Sequence, residues 1–78
     1  MNNNFKIVIS SDLKYDDLCA EIYYKGHFVA IITQEKGFEN LEIEIYSPSD
    51  DEKWNFQFSK FIEILEKAKK NLWNMRKN

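Results

Sequence analysis

Two runs of β-branched and aromatic residues, 19–24 and 27–34, are separated only by the dipeptide Lys25-Gly26. Such runs, joined by a two-residue connection that contains glycine, are typical of a tight antiparallel hairpin. Few other local patterns constrain a chain this strongly, because a hairpin fixes both the pairing of two strands and the face on which each side chain lies. The remaining elements are therefore predicted as additions to this hairpin.

The turn predicts the register of the hairpin. With Lys25 and Gly26 as the turn residues, Tyr23 pairs with Phe28, and Ile22 pairs with Val29. One face then carries Ala20, Ile22, Tyr24, His27, Val29 and Ile31, and the other carries Cys19, Glu21, Tyr23, Phe28, Ala30 and Ile32. Because lysine must take a positive φ in a type I′ turn, a register shifted by one residue stays open as an alternative.

Apolar residues that alternate with polar ones predict further strands at 5–10 and 41–46. In the latter, Leu41, Ile43 and Ile45 are expected to face the core. Residues 53–58 also alternate and would form a fifth strand, although a helix is the competing interpretation of that segment.

A helix is predicted at residues 60–74, with Ser59 as its N-cap. Its expected apolar stripe consists of Phe61, Ile62, Leu65, Ala68, Leu72 and Met75. Ile64 and Trp73 lie off this stripe, at the edge of the core or in a second contact.

These elements predict a single α+β domain over residues 1–78. Its architecture is an antiparallel meander of four to five strands with one C-terminal helix packed on one face, because each element must bury its apolar side against another. Residues 1–4 are expected to form a disordered tail. Which face of the sheet the helix covers stays open at this stage.

The chain carries no predicted membrane span or export signal. No apolar run approaches the roughly 18 residues that a transmembrane helix needs, and the N-terminal residues lack the basic and apolar regions of a signal peptide. The single cysteine, Cys19, cannot form an intramolecular disulfide. We therefore expect a cytoplasmic protein.

Charge is distributed unevenly along the chain. Residues 1–59 hold five Lys and eleven acidic side chains, whereas residues 60–78 hold six basic and two acidic ones. A basic helix end is favoured by the helix dipole, and we prefer this interpretation to a nucleic-acid site, because the acidic remainder would repel phosphate. A nucleic-acid site would have to use Lys67, Lys69, Lys70, Arg76 and Lys77.

Residues capable of chemistry occur without the partners that catalysis or metal binding requires. His27 lies beside a turn with no predicted pocket, and the acidic neighbours of Cys19 would disfavour its thiolate. The run 50–52 (Asp-Asp-Glu) lacks the spacing of a calcium loop. We predict no catalytic residue, no metal site and no cofactor, and therefore not an enzyme.

The sheet face opposite the helix is the candidate site. Aromatic side chains are enriched in the cores of protein interfaces, and charges around them orient a partner. The predicted partner-binding residues are Glu21, Tyr23, Phe28, Glu42, Glu44 and Tyr46, with Val8, Ala30 and Ile32 on the same face. The alternative is that the helix covers this face or that its apolar residues are scattered singly.

Three segments, residues 20–35, 41–46 and 61–69, together resemble a group of small bacterial single-domain proteins. That group comprises immunity-type proteins of toxin systems and small accessory proteins of mobile elements. The resemblance rests on structural positions and supplies no catalytic signature. It implies a bacterial source and a protein-binding role.

Together these observations predict a non-enzymatic inhibitor or immunity-type protein that blocks a partner protein through an acidic, aromatic sheet face. The acidic sheet suits a basic partner such as a toxin or nuclease. A homo-oligomeric structural module, as a homodimer, is the second hypothesis. A nucleic-acid-binding accessory protein ranks third.

Overall fold

The computed structural model describes residues 4–11 and 14–76. Its elements are the strands β1 (Phe5–Ser10), β2 (Cys19–Tyr24), β3 (His27–Thr33) and β4 (Glu42–Ile45), a 3-10 turn (Phe38–Asn40) and the helix α1 (Phe58–Arg76). The strands form one antiparallel sheet in the order β1-β2-β3-β4. The predicted α+β meander with one C-terminal helix is confirmed, with four strands in the part of the chain that the structure describes.

The β2–β3 hairpin turns at Lys25 and Gly26, as predicted. Their φ angles are 51° and 86°, and a type I′ turn requires positive φ at both central residues. Tyr23 pairs with Phe28 in the predicted register. The backbone N–H of Lys25 also donates to the carbonyl of Asn4, at 2.9 Å, which ties the turn to the residue before β1. The remainder of the predicted tail, residues 1–3, lies outside the described residues.

A β-bulge changes the register beyond Phe28. Ile22 pairs with Ala30 rather than with Val29, so that Val29 is the additional residue on β3. Ala30 and Ile32 therefore join the buried core that α1 covers. The prediction that placed these two residues on the opposite face was wrong, and Ile31 takes their place there, opposite Glu21.

The helix α1 is longer than predicted, and the side that it turns towards the sheet differs from the predicted apolar stripe. It begins at Phe58, and the carbonyl of Gln57 accepts a hydrogen bond from the N–H of Phe61 at 3.0 Å. Ser59 consequently lies inside the helix and is not its N-cap. Ile64 is buried in the core, whereas Ile62 is 40% exposed. The stripe that contacts the sheet comprises Phe61, Ile64, Leu65, Ala68 and Leu72.

The predicted fifth strand at 53–58 does not form. This segment has no regular structure before α1 begins, and its aromatic residues fill one end of the core instead. Phe56 stacks on Phe61 at 5.2 Å and meets the ring of Tyr24 at 5.0 Å. The Trp54 indole N–H donates to the carbonyl of Tyr46. Aromatic packing therefore holds the segment without a strand ladder.

α1 packs mainly against β1 and β2. Along β4, Ile43 and Ile45 point to the helix side of the sheet, as expected from the alternation, but they are 39% and 59% exposed. The prediction that both are core residues was wrong, because one helix does not cover all four strands. No helix in the described part of the chain has the length and apolar character needed to cross a membrane.

The rotation of α1 can be tested with two isoleucines that lie two residues apart. Replacing Ile64, which is 4% exposed, with alanine should lower the free energy of unfolding by about 2–5 kcal/mol, because it leaves a cavity in the core. The matched variant Ile62→Ala should lower the free energy of unfolding by less than about 1 kcal/mol. Urea denaturation followed by circular dichroism measures both. Equal losses, or a larger loss for Ile62→Ala, would contradict the packing described above.

Candidate functional site

The sheet face that α1 leaves uncovered, here called the open face, presents its side chains in three rows across the strands. Residues that pair across antiparallel strands point to the same face, and Tyr46 continues β4 through a 2.8 Å hydrogen bond from its N–H to the carbonyl of Val29. The rows are Lys6, Tyr23, Phe28 and Tyr46; Val8, Glu21, Ile31 and Glu44; and Ser10, Cys19, Thr33 and Glu42. All six predicted binding residues therefore lie on this face.

Three aromatic rings form a continuous row on the open face. The ring of Phe28 lies between those of Tyr23 and Tyr46, with centroid distances of 5.5 Å and 5.1 Å. Edge-to-face and tilted contacts of this kind are favourable beyond the area that they bury. The row crosses β2, β3 and the end of β4, and Tyr46 is still 42% exposed. The aromatic row therefore offers a partner a surface on which ring contacts already fix the side-chain geometry.

Two carboxylates border the aromatic row, and tyrosine hydroxyls orient both of them. Glu21 accepts a hydrogen bond from the Tyr23 hydroxyl at 2.9 Å and another from the Ser10 hydroxyl at 3.1 Å. Glu44 accepts one from the Tyr46 hydroxyl at 2.8 Å. A carboxylate has about four lone-pair sites, so each can still accept hydrogen bonds from a partner.

The tyrosine hydroxyls remain protonated well above neutral pH. The hydrogen bond to Glu21 is the main cause that raises the pKa of Tyr23 above its ordinary value of 10.0, followed by burial and the charge of Glu21. The pKa of Tyr46 is raised in the same way, chiefly by its bond to Glu44. Each tyrosine is therefore a hydrogen-bond donor that holds its carboxylate in place.

Sequence reasoning placed neither Ile31 nor Tyr15 at this site. Ile31 lies between Glu21 and Glu44 in the middle row and is only 6% exposed. It is there because of the bulge, which the sequence does not signal. Tyr15, in the connection between β1 and β2, is close enough to Tyr46 to contribute electrostatically to the raised pKa of Tyr46.

The connection that carries Tyr15 is anchored to the end of β3. The backbone N–H groups of Asp16 and Asp17 donate to the Glu35 carboxylate at 3.1 Å and 2.9 Å. The side-chain amide of Gln34 donates to the carbonyl of Leu18 at 2.8 Å. These bonds hold the connection beside the sheet.

Glu42 differs from the other two open-face carboxylates. It forms an exposed salt bridge with Lys36 at 2.8 Å, and this bond is the main cause that raises the pKa of Lys36. The negative charge of Glu42 is therefore partly neutralised by Lys36. Glu21 and Glu44 carry most of the negative potential beside the aromatic row.

His27 and Cys19, the other candidates for chemistry, lie in different surroundings. His27 is exposed beside the turn. Cys19 is fully buried, with its Sγ 3.4 Å from the Ser10 hydroxyl oxygen. Within residues 4–11 and 14–76, no group of three or more His, Cys, Asp and Glu side chains is arranged to hold a metal ion.

Comparison with family models, curated proteins and solved structures found no match for this chain. The resemblance to immunity-type and mobile-element accessory proteins therefore stays a prediction.

The Tyr23–Glu21 bond can be tested by titration. In the variant Glu21→Gln the loss of the negative charge should move the pKa of Tyr23 down towards 10.0. Carbon-13 NMR of the Tyr23 Cζ measures this directly, and Glu63→Gln on α1 serves as the control. An unchanged Tyr23 pKa in Glu21→Gln would contradict the hydrogen bond.

The same bond sets a pH dependence of stability. Because the folded pKa of Tyr23 lies above the unfolded value, the contribution of the bond is complete below pH 10.0 and is lost as the pH rises through the folded value. We expect Glu21→Gln to show a smaller loss of stability over this alkaline range than the unmodified protein. Urea midpoints measured across the range test this sign.

Proposed function

We propose that this protein is a non-enzymatic binding protein that blocks a partner protein through its open face, in the manner of an immunity-type protein or small inhibitor. The observation that carries the proposal is the row of Tyr23, Phe28 and Tyr46, bordered by the oriented carboxylates of Glu21 and Glu44. A sheet face that served only for solubility would not need this combination.

The preorganisation of the face supports a role in binding. A partner that docks on mobile side chains must immobilise them, and the free-energy cost of doing so is about 0.5–1.5 kcal/mol for each flexible side chain. Here ring contacts and hydrogen bonds already hold the tyrosines and glutamates. Tyrosine is also among the residues that most often dominate binding energy in protein interfaces.

The charge of the face supports the proposal of a basic partner. Glu21 and Glu44 flank the buried Ile31 from opposite sides, so that two negative charges lie close to the aromatic row. Complementary charges accelerate association and disfavour wrong partners. A nuclease toxin, or another protein whose basic surface binds nucleic acid, has the chemistry that such a face would recognise.

We place this activity in the cytoplasm. Cys19 is the single cysteine of the chain and its side chain is fully buried, so the fold uses no intramolecular disulfide, as is usual for proteins of reducing compartments. An inhibitor of a nucleic-acid enzyme would also encounter its target there.

The double variant Tyr23→Lys/Phe28→Lys tests the proposal. It removes two rings of the row and offsets the negative charges of Glu21 and Glu44, so it should abolish capture of a stoichiometric partner. The measurement is affinity purification of the tagged protein from its own cells, followed by mass spectrometry and by a binding titration with the purified partner. Affinity for that partner should also fall as the salt concentration rises.

The matched control is Ile62→Lys/Met75→Lys. It introduces the same charge at two exposed apolar positions of α1 and should leave the affinity unchanged. Circular dichroism verifies that both variants are folded. Unchanged affinity in folded Tyr23→Lys/Phe28→Lys would refute the open face as the binding surface.

A further inference from the structure

Among the described residues, no strand or loop is shown to pair with the backbone along the outer edge of β4. No strand follows β4 in the described sheet. The Tyr46 N–H points inward, to Val29 on β3. Since alternate residues of an antiparallel strand direct their backbone groups to opposite sides, the N–H and C=O groups of Ile43 and Ile45 point outward. A free edge of this kind is a template for an additional strand.

The helix side of this edge offers room for apolar side chains. Two depressions lie between β4 and α1, with volumes of about 270 Å³ and 290 Å³. Ile43 and Leu65 line the first, whereas Ile45, Phe58 and Phe61 line the second. Phe58 is 80% exposed. Because Ile43 and Ile45 are two residues apart, the depressions match the spacing of alternate side chains on an incoming strand.

The opposite side of the same edge is acidic, because Glu42 and Glu44 alternate with the two isoleucines. This pattern argues against a second copy of the chain. In a fully paired antiparallel β4–β4 contact about a two-fold axis, Glu44 would lie opposite its own counterpart or that of Glu42. Like charges directly opposite each other destabilise a strand pair. The same carboxylates would attract basic side chains, and Glu44 would do so more strongly because Glu42 also forms a salt bridge with Lys36.

We propose that the edge of β4 accepts an extended segment of a partner protein in which basic and apolar residues alternate. The apolar side chains of this segment occupy the two depressions, and its basic side chains lie beside Glu42 and Glu44. Its backbone pairs with Ile43 and Ile45 and becomes a fifth strand. This mode of recognition takes affinity from main-chain bonds and specificity from alternate side chains. It uses Glu42 and Glu44 of the open face but not the aromatic row, so it can hold even if the aromatic row binds no partner.

The probe is a capped synthetic octapeptide of alternating Lys and Val, titrated into the full chain and followed by amide NMR. Binding should slow hydrogen exchange at the amides of Ile43 and Ile45, because their N–H groups then donate hydrogen bonds to carbonyl groups of the peptide. An alternating Glu–Val octapeptide and a peptide with the same Lys and Val content in scrambled order are the ligand controls. Both should bind at least about tenfold more weakly, since they lose charge complementarity or the alternate spacing.

Paired variants separate the edge from the rest of the surface. Ile43→Thr/Ile45→Thr retains β-branched residues but removes apolar contacts, and should weaken binding of the Lys–Val peptide by roughly tenfold. Ile62→Gln/Met75→Gln replaces two exposed apolar side chains that do not line the depressions, and should leave it unchanged. Tyr23→Thr/Phe28→Thr, which removes two rings of the aromatic row without adding charge beside Glu44, should also retain peptide binding. A failure of the aromatic row and a failure of the edge are therefore distinguishable.

Three outcomes would overturn the proposal. The first is equal affinity for the Lys–Val and Glu–Val peptides. The second is peptide-induced shifts confined to the open face, with the Ile43 and Ile45 amides still exchanging at their unbound rates. The third is protection of these amides without peptide, together with a dimeric mass by light scattering, which would identify a second copy as the occupant.

Discussion

The bulge at Val29 determines what each face of this small sheet is made of. Before it, Phe28 points to the open face, opposite Tyr23; after it, Ala30 and Ile32 point to the helix. One additional residue thus allows β3 to supply an aromatic ring to one face and three core residues to the other. Without it, either Phe28 would lie in the core or Ala30 and Ile32 would lie outside. Both the hydrophobic core and the aromatic row depend on this irregularity.

The second constraint is that one helix must cover four strands. α1 packs on β1 and β2, and the aromatic residues of the preceding segment extend the cover at one end, where Phe56 contacts Phe5 and Tyr24. Neither α1 nor this segment covers much of β4. Its isoleucines follow the alternation of a core strand, yet Ile45 is 59% exposed. The limited area that one helix covers therefore accounts for the apolar surface along this edge.

Local signals predicted much of the fold, and their limits have physical causes. The Lys25-Gly26 turn, the strand pairing next to it and the existence of α1 all follow from patterns within a few residues. The bulge could not be predicted, because residues 29–32 are apolar at every position and no alternation distinguishes one register from the next. Likewise Ile62 and Ile64 are equally apolar, and only tertiary packing decides which of them faces the sheet.

The candidate site was predicted more completely than the core around it. All six proposed residues lie on strands that alternate clearly or flank the turn, so local alternation predicts their face. The pairing that brings the β4 residues to the face of Tyr23 and Phe28 nevertheless follows the bulge. What the sequence could not supply was the bonding among them, since the pairing of each tyrosine with a glutamate two residues away depends on side-chain rotamers. Ile31 and Tyr15 were missed because their positions depend on the bulge and on a connecting segment.

The acidic side chains of β4 link the open face to the edge. Glu44 borders the aromatic row through its bond from Tyr46, and it also lies on the strand whose outer side is free. An exposed edge strand with apolar residues ordinarily risks pairing with its own copy. Carboxylates at every second position oppose that pairing, and the same charges favour a basic partner. Specificity in such a surface arises as much from the partners that it repels as from those that it attracts.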